Sequence, residues 1–482
     1  MPGKTITIAP VTRIEGHAKI TIQLDDAGNV QDTWVNVVEL RGFEKFCLGR
    51  PVEEMPRIVT SICGVCPWSH HLAAAKACDA VFGVTPTPAG VKLRDLCNSI
   101  AFTEEHILHF FFLGGPDFVM GPDSDPSVRN VIGIAKANPE IGKKVVRNRH
   151  LGARMLNIVS GKSIHPVTAV PGGFSKPLTE DERKKVLPMA EEVLEFAKFS
   201  IKFAKESIFP KYLDVVKTLA VIKTGFMGTV DANGALNCYD GKIRLMKPDG
   251  TYTDFTYDKY ADYIEEKTLN WSYLKFPYAK TWGEGFSMDL NNPKGIYRTN
   301  TLARINVADK MATPLAQKEF EEFRKNFGRP AQLTMLYHWA RLIELLYHAE
   351  HVVELLKDKD ITGKETRVKV TPRAARGIGC TEAPRGTLIH DYTTDADGLL
   401  TNCNLIVGTT HNNAAINMSV KQAAQLLIKG GKYDQGMMNK VEMAIRAYDP
   451  CLSCATHNLD GTLPVKVTIM DAQGKVVDTL VN

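Results

Sequence analysis

Two Cys-x-x-Cys pairs stand almost at opposite ends of this 482-residue chain, Cys63-Gly64-Val65-Cys66 and Cys451-Leu452-Ser453-Cys454. Each pair is short enough to grip one metal ion from one side. The span from Cys66 to Cys451 is far too long for a zinc finger or ribbon, so only the whole fold can unite the pairs. Four thiolates converging inside a large protein suit a soft transition metal. Their surroundings sharpen the reading: Arg13-Ile14-Glu15-Gly16-His17 upstream, His70-His71 after the first pair, Asp449-Pro450 before the second, and His457 beyond it.

With 44% hydrophobic and 23% charged residues, the chain has the composition of a soluble globular protein that can bury a large core. A net charge of +5, scattered along the sequence, leaves no nucleic-acid footprint. No apolar run reaches the ~18 residues of a membrane helix. The start, Met1-Pro2-Gly3-Lys4-Thr5, has neither an apolar signal core nor paired arginines, so a cytoplasmic protein is expected. In that reducing compartment the ten cysteines are not a disulfide framework. Cys78 and Cys97 read as small core residues, and Cys47, Cys238, Cys380 and Cys403 as structural ones.

The expected fold is α+β, mainly α: a central bundle of long helices, an N-terminal antiparallel sheet and peripheral hairpins. One unit covers 1–482, with a β region at 1–50, a helical core with insertions at 51–457 and a C-terminal extension at 458–482. Thr5–Ile8 and Ala18–Leu24 alternate at period two, and a turn at 25–29 leads into Val30–Val38. Ala89–Leu113 and Asp181–Leu219 read as core helices, with Pro188 and Pro210 as kinks or breaks. Pro67 suits the first turn of a helix that begins just after Cys63. Residues 235–256 read as a hairpin and 257–312 as a loop-rich surface insertion. Helix returns at Leu315–Phe327 and Ala331–Lys357. Strands and loops follow over 366–410, with turns at Ala383–Gly386 and Thr409–Asn413. Helices at 414–429 and 433–447 lead into Asp449. The hairpin-like 466–482 echoes 19–36, which leaves open whether it joins the N-terminal sheet.

Taken alone, the four cysteines allow a closed structural zinc site. Such a site needs no Arg-Ile-Glu-Gly-His strand, no double histidine and no Ala-Pro-Arg-Gly loop. A dithiol redox site fits poorly too, because each pair would need its own partner chemistry. Five segments in order, Arg13–His17, Arg41-Gly42-Phe43-Glu44, Ile62–Cys66, Ala383-Pro384-Arg385-Gly386 and Asp449–His457, resemble the large subunit of nickel–iron hydrogenases. The resemblance covers nearly the whole chain. It is closest to the cytoplasmic, methyl-viologen-reducing (F420-non-reducing) branch, which works with heterodisulfide reductase in methanogens and related anaerobes.

That resemblance implies a Ni–Fe centre with CO and cyanide on the iron. Cys63, Cys66, Cys451 and Cys454 would hold nickel, with Cys66 and Cys454 bridging to iron. Cys63 or Cys451 would act as a transient base, the family pattern favouring Cys451. Glu15 would carry protons away; a surface carboxylate is the bland alternative. Arg385, after Pro384, would stand over the open site, with Glu105 and Asp449 completing its charged shell. Glu105 replaces an aspartate of better-known members, which keeps the charge and lengthens the reach. Thr409 would hydrogen-bond a cyanide, in a segment where Gly408 stands in place of a frequent proline. His70 would hydrogen-bond a bridging sulfur, and His71 has only a core or surface reading. Glu44, the Leu405 carbonyl and His457 would bind a separate Mg2+ (or Fe2+) ion near the C-terminus.

H2 would be the substrate, cleaved heterolytically and reversibly. This chain lacks a cysteine cluster for iron–sulfur centres, so the implied partners are an iron–sulfur small subunit, then an iron–sulfur adaptor and a heterodisulfide reductase complex. A maturation endopeptidase would remove residues after His457. Two rivals are a deazaflavin (F420)-reducing hydrogenase and a non-catalytic scaffold related to the quinone-site subunit of respiratory complex I. Retention of all four metal cysteines argues against the latter.

Overall fold

Along Ala18–Leu24, Ala18, Ile20, Ile22 and Leu24 are buried while the residues between them are more exposed, the mark of a half-buried strand. It pairs antiparallel with Thr5–Ile8 and Val30–Val37, so β1 (Thr5–Ile8), β2 (Ala18–Leu24) and β3 (Val30–Val37) form the expected N-terminal sheet. The structure is a computed structural model that describes residues 4–456, 466–470 and 476–481.

Helices follow. α1 (Pro67–Phe82) starts with proline in its first turn, where a missing N–H costs nothing, and stops at the left-handed Gly83. α2 (Pro88–Leu108) is capped by the Thr87 hydroxyl, which accepts from the Gly90 amide. A wider turn, His109–Gly114, continues it. Next come α3 (Pro139–Ser160) and α4 (Glu180–Phe203), the latter opened by a Thr179/Glu182 capping box. α5 (Thr301–Val307) and α6 (Pro314–Phe327) lead to α7 (Tyr337–Lys357). Helices α2, α3, α4 and α7 pack side by side as the central bundle.

Pro188 lies inside α4 without ending it, whereas Pro210 sits in the tight turn Phe209–Tyr212 beyond the helix. α7 begins six residues later than expected, at Tyr337. The Ala331 amide is instead held by Asn306, and Gln332 is bound to Arg298.

The predicted hairpin is present as β5 (Lys242–Met246) and β6 (Tyr252–Phe255), joined by β4 (Gly225–Val230). The stretch 257–312 is not a surface insertion throughout. Tyr297–Val307 is buried, with Arg298, Thr299, Asn300 and Arg304 all at 0% exposure. Its polar side chains resemble those of a loop, but they are hydrogen-bonded within the core.

β7 (Arg376–Ala383), β8 (Gly386–Thr394) and β9 (Leu400–Ile406) form an antiparallel sheet against which α1 lies. Gly377 and Gly379 make that approach possible: a Cβ on Gly379 would stand 2.1 Å from the Ala73 carbonyl oxygen. Thr409–Asn413, expected as a turn, is the first turn of α8 (Gly408–Leu427). Its polar side chains bind neighbouring segments: Asn412 accepts from the Thr299 amide and Asn413 donates to the Leu274 carbonyl. α9 (Gln435–Arg446), capped by Asp434, leads to Asp449. β10 (Lys466–Met470) and β11 (Val476–Val481) pair with each other and not with the N-terminal sheet. No described helix is long and apolar enough to cross a membrane.

Candidate metal centre

The four cysteines meet. Cys63 follows a tight turn and Cys66 caps the start of α1, while Cys451 and Cys454 enter from the far end of α9. The sulfurs lie 3.2 Å apart for Cys63–Cys451, 3.3 Å for Cys66–Cys454, 3.9 Å for Cys66–Cys451 and 2.7 Å for Cys451–Cys454. All four ligand atoms fall within 4.8 Å of one another and all four residues are buried. With metal–sulfur bonds of about 2.3 Å, that spacing suits one central ion. Burial and the neighbouring sulfurs push Cys451 and Cys454 well above the usual thiol range. Hydrogen bonds from the other three, that from Cys451 foremost, hold Cys63 well below it. Four sulfurs buried this close together suit a bound soft metal ion.

Three backbone clamps fix this geometry. Arg41 donates to the carbonyls of Ser61 (3.2 Å), Ile62 and Ser453 (3.4 Å), so one guanidinium ties the two cysteine loops together. The Thr409 hydroxyl accepts from the Cys451 amide at 2.9 Å. Glu15 bridges to Cys451 in a parallel pairing and accepts the Leu452 amide on its carbonyl and the Ser453 amide on its carboxylate. Gly16 is required beside it. Its φ is +78°, and a Cβ there would stand 2.8 Å from the Ser453 nitrogen. Burial raises the Glu15 carboxyl above the ordinary range, and the charge at Cys63 adds to this.

Arg385 occupies the β7–β8 turn. Its guanidinium donates to Glu105 at 2.5 Å and to Asp449 at 3.2 Å. The longer side chain at position 105 therefore reaches the arginine. Arg341 stands behind, 3.7 Å from Asp449. Burial alone would depress Arg385, but Asp449 and Glu105 hold it firmly charged. Burial lifts Glu105 to about 8 against the pull of Arg385. Asp449, just before Pro450, sits at φ +50°, a strained position for a residue with a side chain.

His70 does not bond a cysteine sulfur. Its Nδ1 faces His390 Nε2 at 3.2 Å, and its buried Nε2 has no partner among the described residues. Burial lowers it to about 4, so the ring is neutral. His71 is a core residue, bonded to the Pro56 carbonyl and the Ala169 amide. The Glu44 carboxylate accepts the Leu405 amide, rather than facing its carbonyl, at 2.8 Å. His457 lies outside the described residues.

Several residues that serve this site were not read from the sequence. Arg304, on α5, donates to the Ala383 and Pro384 carbonyls. Asn300 holds the Tyr448 carbonyl at 2.6 Å, just before Asp449. Arg341, Arg304 and Asn300 lie in no short motif, and only their tertiary placement reveals them.

Comparison with known proteins agrees with this geometry. The family model described as nickel-dependent hydrogenase matches residues 41–133 and 296–457, and a HoxL-like model matches residues 5–40. One polypeptide of the F420-non-reducing hydrogenase of Methanothermobacter thermautotrophicus is 45% identical over 480 residues, covering 98% of this chain and 99% of the relative. The HoxS subunit beta of the NAD-reducing hydrogenase of Cupriavidus necator is 38% identical over 492 residues, covering 98% and 99%. The crystal structure of an NAD+-reducing nickel–iron hydrogenase in its H2-reduced state superposes with a TM-score of 0.89 at 39% identity, covering 95% of this chain and 100% of that one. Motifs, fold and converging thiolates lead to one conclusion: this chain belongs to the nickel-dependent hydrogenases, as a nickel–iron catalytic subunit.

Proposed function

We propose that the chain oxidises H2 reversibly, by heterolytic cleavage at a nickel–iron centre, and hands the electrons to an iron–sulfur subunit. The observation that carries this reading is the arrangement around the four thiolates. Glu15 lies against Cys451, and Arg385, paired with its two carboxylates, is near enough to feel the charge at Cys451 and Cys66. When bound, a centre of nickel with an iron carrying CO and cyanide supplies the place where H2 is taken up and its electrons are accepted. Cys63, Cys66, Cys451 and Cys454 would hold the nickel, and Cys66 and Cys454 would also serve the iron. Arg385 presents a fixed, buried cation where dihydrogen is polarised. Cys451 Sγ would take the proton, and the adjoining Glu15 carboxyl, its pKa raised by burial, would carry it away. Thr409 serves through the Cys451 amide. His70 has one ring nitrogen free to meet the bound centre.

A second ion, Mg2+ or Fe2+, fits beside Glu44 and the Leu405 carbonyl, with His457 as a further ligand. Lys275 lies 3.9 Å from Glu44 and 3.3 Å from Glu266, and a buried oxygen of Glu266 has no hydrogen-bond partner among the described residues. Oxygen ligands with water suit magnesium.

Among the described residues no cysteine cluster beyond these four is suited to an iron–sulfur centre, which supports electron exit through another chain. That chain would be an iron–sulfur small subunit, followed in a cytoplasmic assembly by an iron–sulfur adaptor and a heterodisulfide reductase complex. A maturation endopeptidase would remove residues 458–482, and the intact mass of the purified chain reads that cut directly.

The test is metal analysis with infrared spectroscopy on the purified assembly, joined to H2-dependent dye reduction. Nickel and iron near one each in this chain, with CO and cyanide stretching bands, are expected. Zinc alone, without such bands in mature protein, would sink the reading. H2-dependent reduction of NAD+ by the same assembly, in place of a heterodisulfide, would redirect the onward acceptor toward that of the NAD-reducing relatives.

A further inference from the structure

Arg304 is wholly buried on α5, and every donor of its guanidinium is spent. Nε and Nη2 bind Glu344 at 2.8 and 2.7 Å, Nη1 binds Glu382 at 2.7 Å, and the remaining two N–H groups bind the Ala383 carbonyl at 2.8 Å and the Pro384 carbonyl at 2.9 Å. Those carbonyls belong to the two residues that directly precede Arg385. The carboxylates are themselves braced: His106 faces Glu344 at 3.1 Å, and Thr387 donates to Glu382 at 2.8 Å. Between the strands only Pro384 and Arg385 separate Ala383 from Gly386, so the two peptide planes set the direction in which the Arg385 side chain leaves the turn.

A buried ion pair contributes little stability over an apolar core of the same volume, because desolvation offsets the attraction. An arginine spent wholly on one turn and its flanks therefore points to positioning. A lysine would keep the charge but lacks the planar fork that satisfies two carbonyls and two carboxylates together.

We propose that Arg304, braced by Glu344 and Glu382, is a positioning residue: it fixes the Ala383 and Pro384 peptides so that the Arg385 guanidinium stands over the four thiolates. This rests on the reading of Arg385 given under Proposed function. The test is a double-mutant cycle on the complete assembly, with Arg304→Lys and Arg385→Lys made singly and together. H2-dependent dye reduction is expressed per bound nickel, so that loss of loading is separated from loss of function. Melting temperature and the infrared bands of the iron ligands are read on the same samples.

Arg304→Lys is expected to lower kcat per nickel about tenfold with KM for H2 little changed, and to shift the infrared bands. In the Arg385→Lys background it should have no further effect on kcat. If Arg304→Lys weakens activity by the same factor in both backgrounds, the residue acts through general stability and the proposal is overturned. If Arg385→Lys alone keeps full activity per nickel, the reading of Arg385 falls and the proposal falls with it. Should Arg304→Lys fail to assemble, Thr387→Val removes only the brace on Glu382. A severalfold loss of kcat that vanishes beside Arg385→Lys supports the proposal, and a loss that persists there overturns it.

Discussion

Thr409 holds the Cys451 backbone, so a side chain expected to face the cofactor serves first to place a thiolate. Thr409→Val keeps the shape and leaves a buried amide unpaired, at a cost of about 1–3 kcal/mol. A lower melting temperature and lower nickel content are expected. Unchanged values for both would show that the bond contributes nothing. Glu105 poses the converse case. Because burial lifts Glu105 to about 8, Glu105→Gln, tested above that pH, removes one of two charges facing the buried Arg385, and breaking such a pair typically costs about 3–5 kcal/mol. Nickel-normalised H2 oxidation should fall with the melting temperature, and a variant equal to the parent in both would refute the role. The motifs showed which residue types gather here. They could not show that Thr409 faces an amide or that His70 faces His390, because rotamer and partner are set by segments 42 and 320 residues away.

Helices α2 and α7 are joined by a ladder of polar rungs: His351 with Asp95 (2.8 Å), His348 with Ser99 (3.3 Å) and, deeper, His106 with Glu344 (3.1 Å). Burial would lower His351, but the Asp95 charge overrides it and raises the ring to about 10. Because the folded pKa lies above the unfolded value of about 6.5, the pair's stabilisation is complete below that pH and is lost as pH rises toward 10. At a side-chain exposure of 24% it amounts to roughly 1–2 kcal/mol after screening. His351→Gln should thus lower the melting temperature at pH 6 and converge on the parent near pH 10. A pH-independent difference would contradict the pairing. Where α1 crosses β7, Gly379→Val places side-chain atoms against the Ala73 carbonyl and must part helix from strand. Overpacking of this kind typically costs about 1–3 kcal/mol, and more where backbone blocks relief. Because α1 carries Cys66 at its start, nickel content should fall as well, and a fully loaded, equally stable variant would argue against the close packing. Strand and helix periodicity gave most of these elements, including β1–β3 and α2. It misplaced Thr409–Asn413 and Tyr297–Val307, where polar side chains that look solvent-bound are satisfied inside the protein.

For the molecule as a whole, a metal held by the four cysteines would join the start of α1 to the segment after α9. A ligand that binds only the folded chain stabilises it by about 4 kcal/mol at a thousandfold excess over Kd. Protein made without nickel should therefore melt several degrees below the loaded form in calorimetry, and equal midpoints would show that the centre does not cross-link the fold. The order of residues was enough to dictate the chemistry: the spacing within each cysteine pair is local, so it survives as a readable pattern however the rest of the chain packs. It was enough, too, for the helical bundle and the N-terminal sheet, since hydrophobic periodicity reports which face of an element is buried. Folding alone brought it about that Arg41 ties the two cysteine loops, that Arg304 grips the turn before Arg385, and that Asn300 holds the approach to Asp449. An arginine or asparagine carries the same letter whether water or a buried carbonyl satisfies it, and the difference arises only when distant segments close around it.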